Sequence, residues 1–134
     1  MMRKALAILV MLLLISGCGQ KSLNKQHELY LSKKGWEIKE LLEVDTHQLE
    51  IPDEMLSNYE ASGITFLGKY IGKEVTEYSY KLKEKDVEGK PIEVSLFEVD
   101  EDIIGGYGIL SSWEPGRFNL DDKERLKTEH MIKK

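Results

Sequence analysis

The chain has a single cysteine and only three histidines among its 134 residues. One cysteine cannot form an intramolecular disulfide, so the fold must be stabilised by an apolar core. The histidines, His27, His47 and His130, fall on separate predicted elements, and no two have the i, i+4 spacing of a zinc-binding helix. We therefore expect them to face solvent, and we predict neither a metal site nor a cofactor.

Catalytic motifs and excess positive charge are missing as well. The sequence has no Gly-x-Ser-x-Gly elbow, and its one cysteine is assigned to another role below. Without the two cations Arg3 and Lys4, 17 lysines and arginines face 24 acids, a net charge of about −7. An acidic domain is repelled by phosphate groups, which argues against nucleic acid as a partner.

No apolar run is long enough to span a membrane. The run Ala5 to Ile15 has 11 residues, whereas a spanning helix needs about 20. It follows Arg3 and Lys4, as the h-region of a signal peptide follows its n-region. The run ends in Ile15-Ser16-Gly17-Cys18, an aliphatic residue, two small residues and a cysteine, which resembles the lipobox of bacterial lipoproteins.

This resemblance implies that residues 1–17 are a signal peptide and that Cys18 is lipidated, leaving 117 mature residues. The alternative is an ordinary secretory signal followed by an unmodified thiol. Two acyl chains would hold the protein with a gross transfer free energy of about 20 kcal/mol. Residues 18–28 would then be the lipidated cysteine and a polar tether, with the domain on the extracytoplasmic face of the cell membrane.

Two segments are predicted to be helical. The first runs from about Lys25 to Lys34, where two cations precede Gly35 in the pattern of a helix C-terminus. The second runs from Pro52 to about Ala61 and begins with a proline and two acids, which suit a first helical turn. Its inner face is expected to carry apolar side chains at helical spacing. These are Met55, Leu56 and Tyr59.

From Lys73 onward the apolar residues recur with a period of two, which indicates strands. Three strands joined by short polar turns are predicted around Tyr80, Val94 and Ile104, and weaker ones at 37–42 and 44–50. The predicted fold class is α+β, an antiparallel sheet of three to five strands with one or two helices packed on one face.

The predicted domain covers residues 29–110 and is followed by a charged tail, 111–134. Apolar residues are sparse in this tail, with Leu120, Leu126 and Met131 forming only a thin stripe. We therefore expect the tail to be either a loosely docked helix or disordered.

Four short motifs occur in order between Leu29 and Leu110. They are Gly35-Trp36-Glu37-Ile38, Ile51-Pro52, Tyr78-Ser79-Tyr80 and Ile104-Gly105-Gly106. Together they resemble a domain of unknown function found in small secreted and lipid-anchored proteins of Gram-positive, spore-forming bacteria. The resemblance implies an α+β fold and a host with a single membrane, but no activity. That family often has an acid after the Gly-Gly pair, where this chain has Tyr107.

Three sets of residues are candidates for a site. Gly105 and Gly106 interrupt a predicted strand, which we attribute to a bulge or to close packing rather than to ligand contact. Asp100-Glu101-Asp102 has the acids of a calcium loop but lacks its spacing, so a polar turn is favoured. Trp113 and Phe118 flank a Pro-Gly turn, where their rings either contact a sugar or peptide or fill the core, the more common use of large rings.

Three functions are consistent with these patterns. The first is a membrane-tethered extracytoplasmic module that binds an envelope protein or a small ligand. The second is a carboxylate-dependent hydrolase of the cell envelope, since two facing acids are sufficient for glycoside hydrolysis. The third is a structural or regulatory lipoprotein that contacts a membrane protein. The firm anchor and the absence of a catalytic motif favour the first.

Overall fold

The computed structural model of the chain describes residues 24–113 and 116–133. The predicted signal peptide, the lipobox and Cys18 lie outside the described residues. Every structural statement below therefore concerns the described part of the chain. Within it, no helix is both long and apolar enough to cross a membrane.

A five-stranded antiparallel sheet forms the centre of the domain, and its strands lie side by side in chain order. Two register shifts, next to Lys39 and Leu42, bend the first strand, so the two weak strands expected there are one continuous strand. The predicted α+β class and antiparallel meander are confirmed. The strands are β1 (Ile38–Gln48), β2 (Glu74–Lys85), β3 (Pro91–Val99), β4 (Asp102–Ile109) and β5 (Arg117–Asn119).

Three helices accompany the sheet, α1 (Lys25–Ser32), α2 (Asp53–Ala61) and α3 (Lys123–Thr128). Asn24 begins α1 by accepting hydrogen bonds from the backbone N–H groups of the first helical turn. Gly35 follows the helix with a φ of +87°, a conformation that glycine adopts without a steric penalty. The first two helices begin and end within two residues of the predicted positions.

Both faces of the sheet are covered, whereas the sequence suggested helices on one face. β3 is buried on both faces. Leu96 faces one side of the sheet and Phe97 the other, whereas a strand with one solvent-exposed face would have a polar residue at one of these two positions. One face, called the α1 face, packs against α1 and α3 through Leu31 and Leu126. The other, called the α2 face, packs against α2 through Tyr59. The domain therefore has two apolar cores separated by the sheet.

The C-terminal segment is part of the α1-face core. Phe118, Leu120, Leu126 and Ile132 are all buried there, and Ile132 also forms an isolated β-bridge with Asp86. The expected domain end at Leu110 therefore lies inside the packed unit, and the loosely docked or disordered tail is corrected to a docked one. These four apolar residues dock the segment on the core, although most of its other residues are charged or polar.

The prediction of which residues form the inner face of α2 is also partly wrong. Tyr59 is buried and Leu56 packs against the same core, but the Met55 side chain is 44% exposed. Only one short stripe of this nine-residue helix faces the sheet, since α2 is polar on most of its surface.

Candidate functional site

A buried polar cluster lies between α1 and the sheet, centred on His27. The His27 side chain is fully buried, and its Nδ1 lies 2.5 Å from the hydroxyl oxygen of Tyr80. Its Nε2 lies 2.5 Å from a carboxylate oxygen of Glu98. The ring also packs edge-on against Tyr78, with 4.4 Å between centroids. The expectation that this histidine faces solvent is wrong, because its partners come from strands 53 and 71 residues away.

The local sequence explains this placement. Asn24 caps α1 and fixes its first turn, which contains His27. Tyr78 and Tyr80 alternate onto the α1 face of β2, and Glu98 lies opposite Thr76 on the same face of β3. The other two histidines are elsewhere, His47 half-buried and His130 exposed.

The electrostatics of the cluster favour neutral phenols. Burial, with the nearby Tyr78 and the negative charges of Glu98 and Glu28, raises the pKa of Tyr80 well above its usual range. Burial and the charges of Glu98 and Glu101 also raise the pKa of Tyr78. Both hydroxyls therefore keep their protons at neutral pH. The arrangement that satisfies all three groups has His27 Nε2–H donating to the Glu98 carboxylate and the Tyr80 hydroxyl donating to Nδ1.

An acid, an imidazole and a hydroxyl in series are the groups of a proton relay. Here, however, the relay ends at Tyr80, of which only 1% is exposed to solvent. No substrate reaches that hydroxyl without moving α1. The cluster therefore acts as a specific polar attachment that fixes the position and register of α1 on the sheet.

A second buried acid stabilises the opposite end of the sheet. Asp86 is 1% exposed, and one of its carboxylate oxygens accepts hydrogen bonds of 2.9 Å from the backbone N–H groups of Glu88 and Lys90. The other oxygen accepts a 2.7 Å hydrogen bond from the Ser112 hydroxyl. Burial raises the pKa of Asp86, but these hydrogen bonds together lower it below the ordinary value. The residue joins the β2–β3 turn to the loop after β4.

The two glycines singled out from the sequence fit against bulky neighbours. Gly105 has a φ of +152°, and a Cβ there would lie 2.6 Å from the ring of Phe66. A Cβ on Gly106 would lie 2.5 Å from a methyl carbon of Leu96. Close packing therefore accounts for both glycines, and a register shift lies beside them in β4.

The two aromatic candidates are not brought together on a surface. Phe118 is 2% exposed and its ring packs in the core, 5.6 Å from that of Trp36. It does not belong to an exposed site, in agreement with the core interpretation. Trp113 is 39% exposed on the loop after β4 and remains available for contact.

The acidic turn is the β3–β4 hairpin itself. Asp100 and Glu101 have φ values of 51° and 70° and form its tip. Among residues 24–113 and 116–133, no group of three or more histidine, cysteine, aspartate or glutamate side chains is placed to hold a metal ion.

Two open grooves flank α1. The larger, of about 580 Å³, is lined by the two lysines that follow α1 and by lysines of α3. Three of these are paired with acids, Lys34 with Asp121 at 2.5 Å, Lys127 with Glu124 at 3.5 Å and Lys123 with Glu84 at 3.6 Å. Its positive charge is therefore largely neutralised.

The smaller groove, of about 460 Å³, lies between α1 and the start of β1. Leu29 and Ile38 line it, and exposed apolar side chains continue from it along β1. The α1–β1 apolar surface is defined here as Leu29, Leu41, Leu42 and Val44, which are 59%, 37%, 42% and 48% exposed. Sequence reasoning missed this surface because apolar residues on a strand ordinarily indicate the buried side.

A scan against protein-family models and searches of curated proteins and of solved structures found no match to this chain.

Proposed function

We propose that this chain is a lipoprotein anchored through Cys18 to the extracytoplasmic face of the cell membrane, and that its folded domain is a binding or interaction module. The observation that carries the proposal is the sequence Ile15-Ser16-Gly17-Cys18 at the end of an 11-residue apolar run that follows two cations. Each part of that pattern has the length and order that export and lipidation need.

The architecture of the described residues agrees with this anchor. The first helix begins at Lys25, seven positions after Cys18, and its cap is Asn24. The two core clusters of the described chain are formed by residues between Tyr30 and Ile132. A lipid on Cys18 therefore leaves these cores intact.

Binding is favoured over catalysis by the position of the reactive groups. The histidine, the acid and the tyrosine that form a relay are all buried beneath α1. Among the described residues, the distinctive exposed features are apolar, the α1–β1 apolar surface and Trp113. Exposed apolar surface is typical of contact with a partner or a membrane.

The alternative, a carboxylate-dependent hydrolase, needs two acids that face each other across an open groove. The smaller groove contains two acids, Glu28 and Glu37. Of these, Glu37 forms an ion pair with Lys83 at 3.3 Å, which occupies it in another contact. The groove therefore gives this alternative no specific support.

Mass spectrometry of the protein extracted from bacterial membranes tests the proposal. We expect the mature chain to begin at Cys18 with a thioether-linked diacylglyceryl group. The variant Cys18→Ala should stay uncut and unlipidated, because the modified cysteine is needed for cleavage. The control Ser22→Ala lies outside the lipobox and should behave as the parent. A Cys18→Ala protein cut at the same bond and still membrane-bound would refute the proposal.

A further inference from the structure

We propose that the α1–β1 apolar surface lies against the bilayer that holds the acyl chains of Cys18, so that the domain rests on the membrane in one fixed orientation. This inference rests on the proposed lipidation and adds to it a second, protein-mediated contact. The occupant is lipid, at the level of the headgroups and the first carbons of the acyl chains.

The exposure of this surface follows from where α1 sits. His27 binds Tyr80 and packs on Tyr78, so the helix lies over β2. On β1, Leu41 lies opposite Tyr80 and Val44 opposite Tyr78, on the same face of the sheet. The helix therefore leaves these two side chains uncovered, although they continue the same apolar face.

The edge position of β1 adds to this exposure. β1 is an edge strand of the sheet, and Leu42 lies at the register shift between Leu41 and Glu43. A shift of this kind turns a side chain away from its regular position. Of the eight large apolar side chains that are exposed in the described chain, the four of this surface lie on α1 and β1. Such a concentration is typical of a contact surface.

The length of the chain before α1 places this surface near the membrane. Six residues, 19–24, separate Cys18 from Lys25. Cys18 and Lys25 are seven positions apart, so at about 3.5 Å per residue even a fully extended segment spans only about 25 Å. The beginning of α1 must therefore stay within that distance of the headgroups. His27, in the first turn, packs on Tyr78, which lies beside Val44, so this end of α1 and the β1 surface are neighbours.

The charges around the surface permit contact with lipid. The acids Glu37 and Glu40 are paired with Lys83 at 3.3 Å and with Lys81 at 3.2 Å. The exposed Glu28 of the smaller groove lies at the level of the polar headgroups in this orientation. Glu43 lies opposite Ser79 and therefore points to the α2 face. Because the mature chain is acidic, attraction to anionic headgroups does not drive the contact. The contact is instead driven by insertion of apolar side chains, and membrane binding through this surface should therefore be insensitive to salt.

Fluorescence quenching on the mature lipoprotein tests this orientation. The chain has one cysteine, which lipidation consumes, so a single introduced cysteine carries the only label. Leu41→Cys and Val44→Cys would each receive an environment-sensitive fluorophore, and the protein would be reconstituted into vesicles of phosphatidylcholine brominated on its acyl chains. We expect loss of fluorescence at both positions relative to unbrominated vesicles, unchanged by high salt.

The matched control is Val87→Cys, because Val87 is 42% exposed but lies in the turn between β2 and β3, seven residues beyond Tyr80, the partner of Leu41. It should show no quenching by bromine. Circular dichroism of each variant checks that the exposed substitution leaves the fold intact. Equal quenching at positions 41, 44 and 87 would refute a fixed orientation.

Three further outcomes separate the possible failures. If the label at position 41 is shielded from aqueous iodide but not quenched by bromine, a protein, such as a second copy of this chain, covers the surface and the inference is wrong. If the protein floats with vesicles and carries the lipid mass but shows no quenching, the anchor stands and the inference alone fails. If the lipid mass is absent, the proposed function fails and this inference fails with it.

Discussion

His27 Nε2 lies 2.5 Å from a carboxylate oxygen of Glu98, although 71 residues separate them in the chain. This contact joins the first turn of α1 to the central strand of the sheet. The predicted tether 18–28 is therefore wrong at its end, since residues from Lys25 onward are helical and His27 is buried. A buried polar pair of this kind gives little net stability compared with apolar packing, but it strongly penalises any arrangement that leaves one partner alone. It therefore specifies where α1 docks.

A double-mutant cycle tests this role. His27→Leu or Glu98→Leu should each lower the free energy of unfolding by about 1–3 kcal/mol, because each leaves a buried polar partner unsatisfied. The double variant should lose clearly less than the sum, since neither polar group then remains. Urea unfolding of the fragment from Ser22 measures all three values, with the exposed Lys25→Leu as a control for a change on the same helix. Additive losses would show that the two residues do not interact.

The periodicity of the sequence predicted much of this fold, and the reasons for its failures are specific. The alternation around Tyr80 and the glycine after Lys34 depend on local geometry, so they predicted the strand and the helix end correctly. The buried state of His27 depends on Glu98, and no local pattern contains that contact. Likewise, the docking of α3 through Leu126 depends on a core formed by distant strands, which the charged local sequence does not indicate.

The candidate sites show the same difference between features set by local geometry and features set by distant contacts. Gly105 was identified because a glycine inside a strand calls for a local explanation, and Phe66 supplies it. The α1–β1 apolar surface was not predicted, because its exposure depends on α1 covering β2 and not β1. Two of the motif residues that carry the resemblance to a lipid-anchored family have a structural role in this domain. Gly35 ends α1, and Trp36 is buried in the α1-face core.

Asp86 should make the stability of the domain depend on pH in the acid range. Its pKa is lowered in the folded state, so the ionised carboxylate stabilises the native form above the ordinary aspartate pKa of about 3.8. That contribution is lost as the pH falls below this value through the folded-state pKa. Asp86→Asn should therefore be less stable than the parent at pH 7 by about 1–3 kcal/mol, because buried N–H and O–H donors lose a charged acceptor.

Urea unfolding at several pH values checks this expectation. The difference in unfolding free energy between the parent and Asp86→Asn should shrink as the pH falls below the ordinary aspartate pKa. Glu88→Gln is the matched control, since Glu88 contributes only its backbone N–H to Asp86 and its side chain is exposed. A difference that stays constant down to acid pH would mean that the charge of Asp86 has no part in stability.

Gly106 is a position where a side chain should be costly for reasons of space alone. A Cβ there would meet a methyl carbon of Leu96 at 2.5 Å and the backbone carbonyl oxygen of Ser95 at 2.6 Å, and the backbone cannot move aside as a flexible side chain does. Gly106→Val should therefore lower the free energy of unfolding by more than about 1 kcal/mol. The control Gly68→Ala places its Cβ 3.8 Å from Leu56, an ordinary contact, and should stay within about 0.5 kcal/mol of the parent. Urea unfolding of the fragment from Ser22 measures both. A Gly106→Val protein as stable as the parent, but unable to capture a partner by crosslinking in intact cells, would contradict the packing explanation and assign this glycine to a binding site.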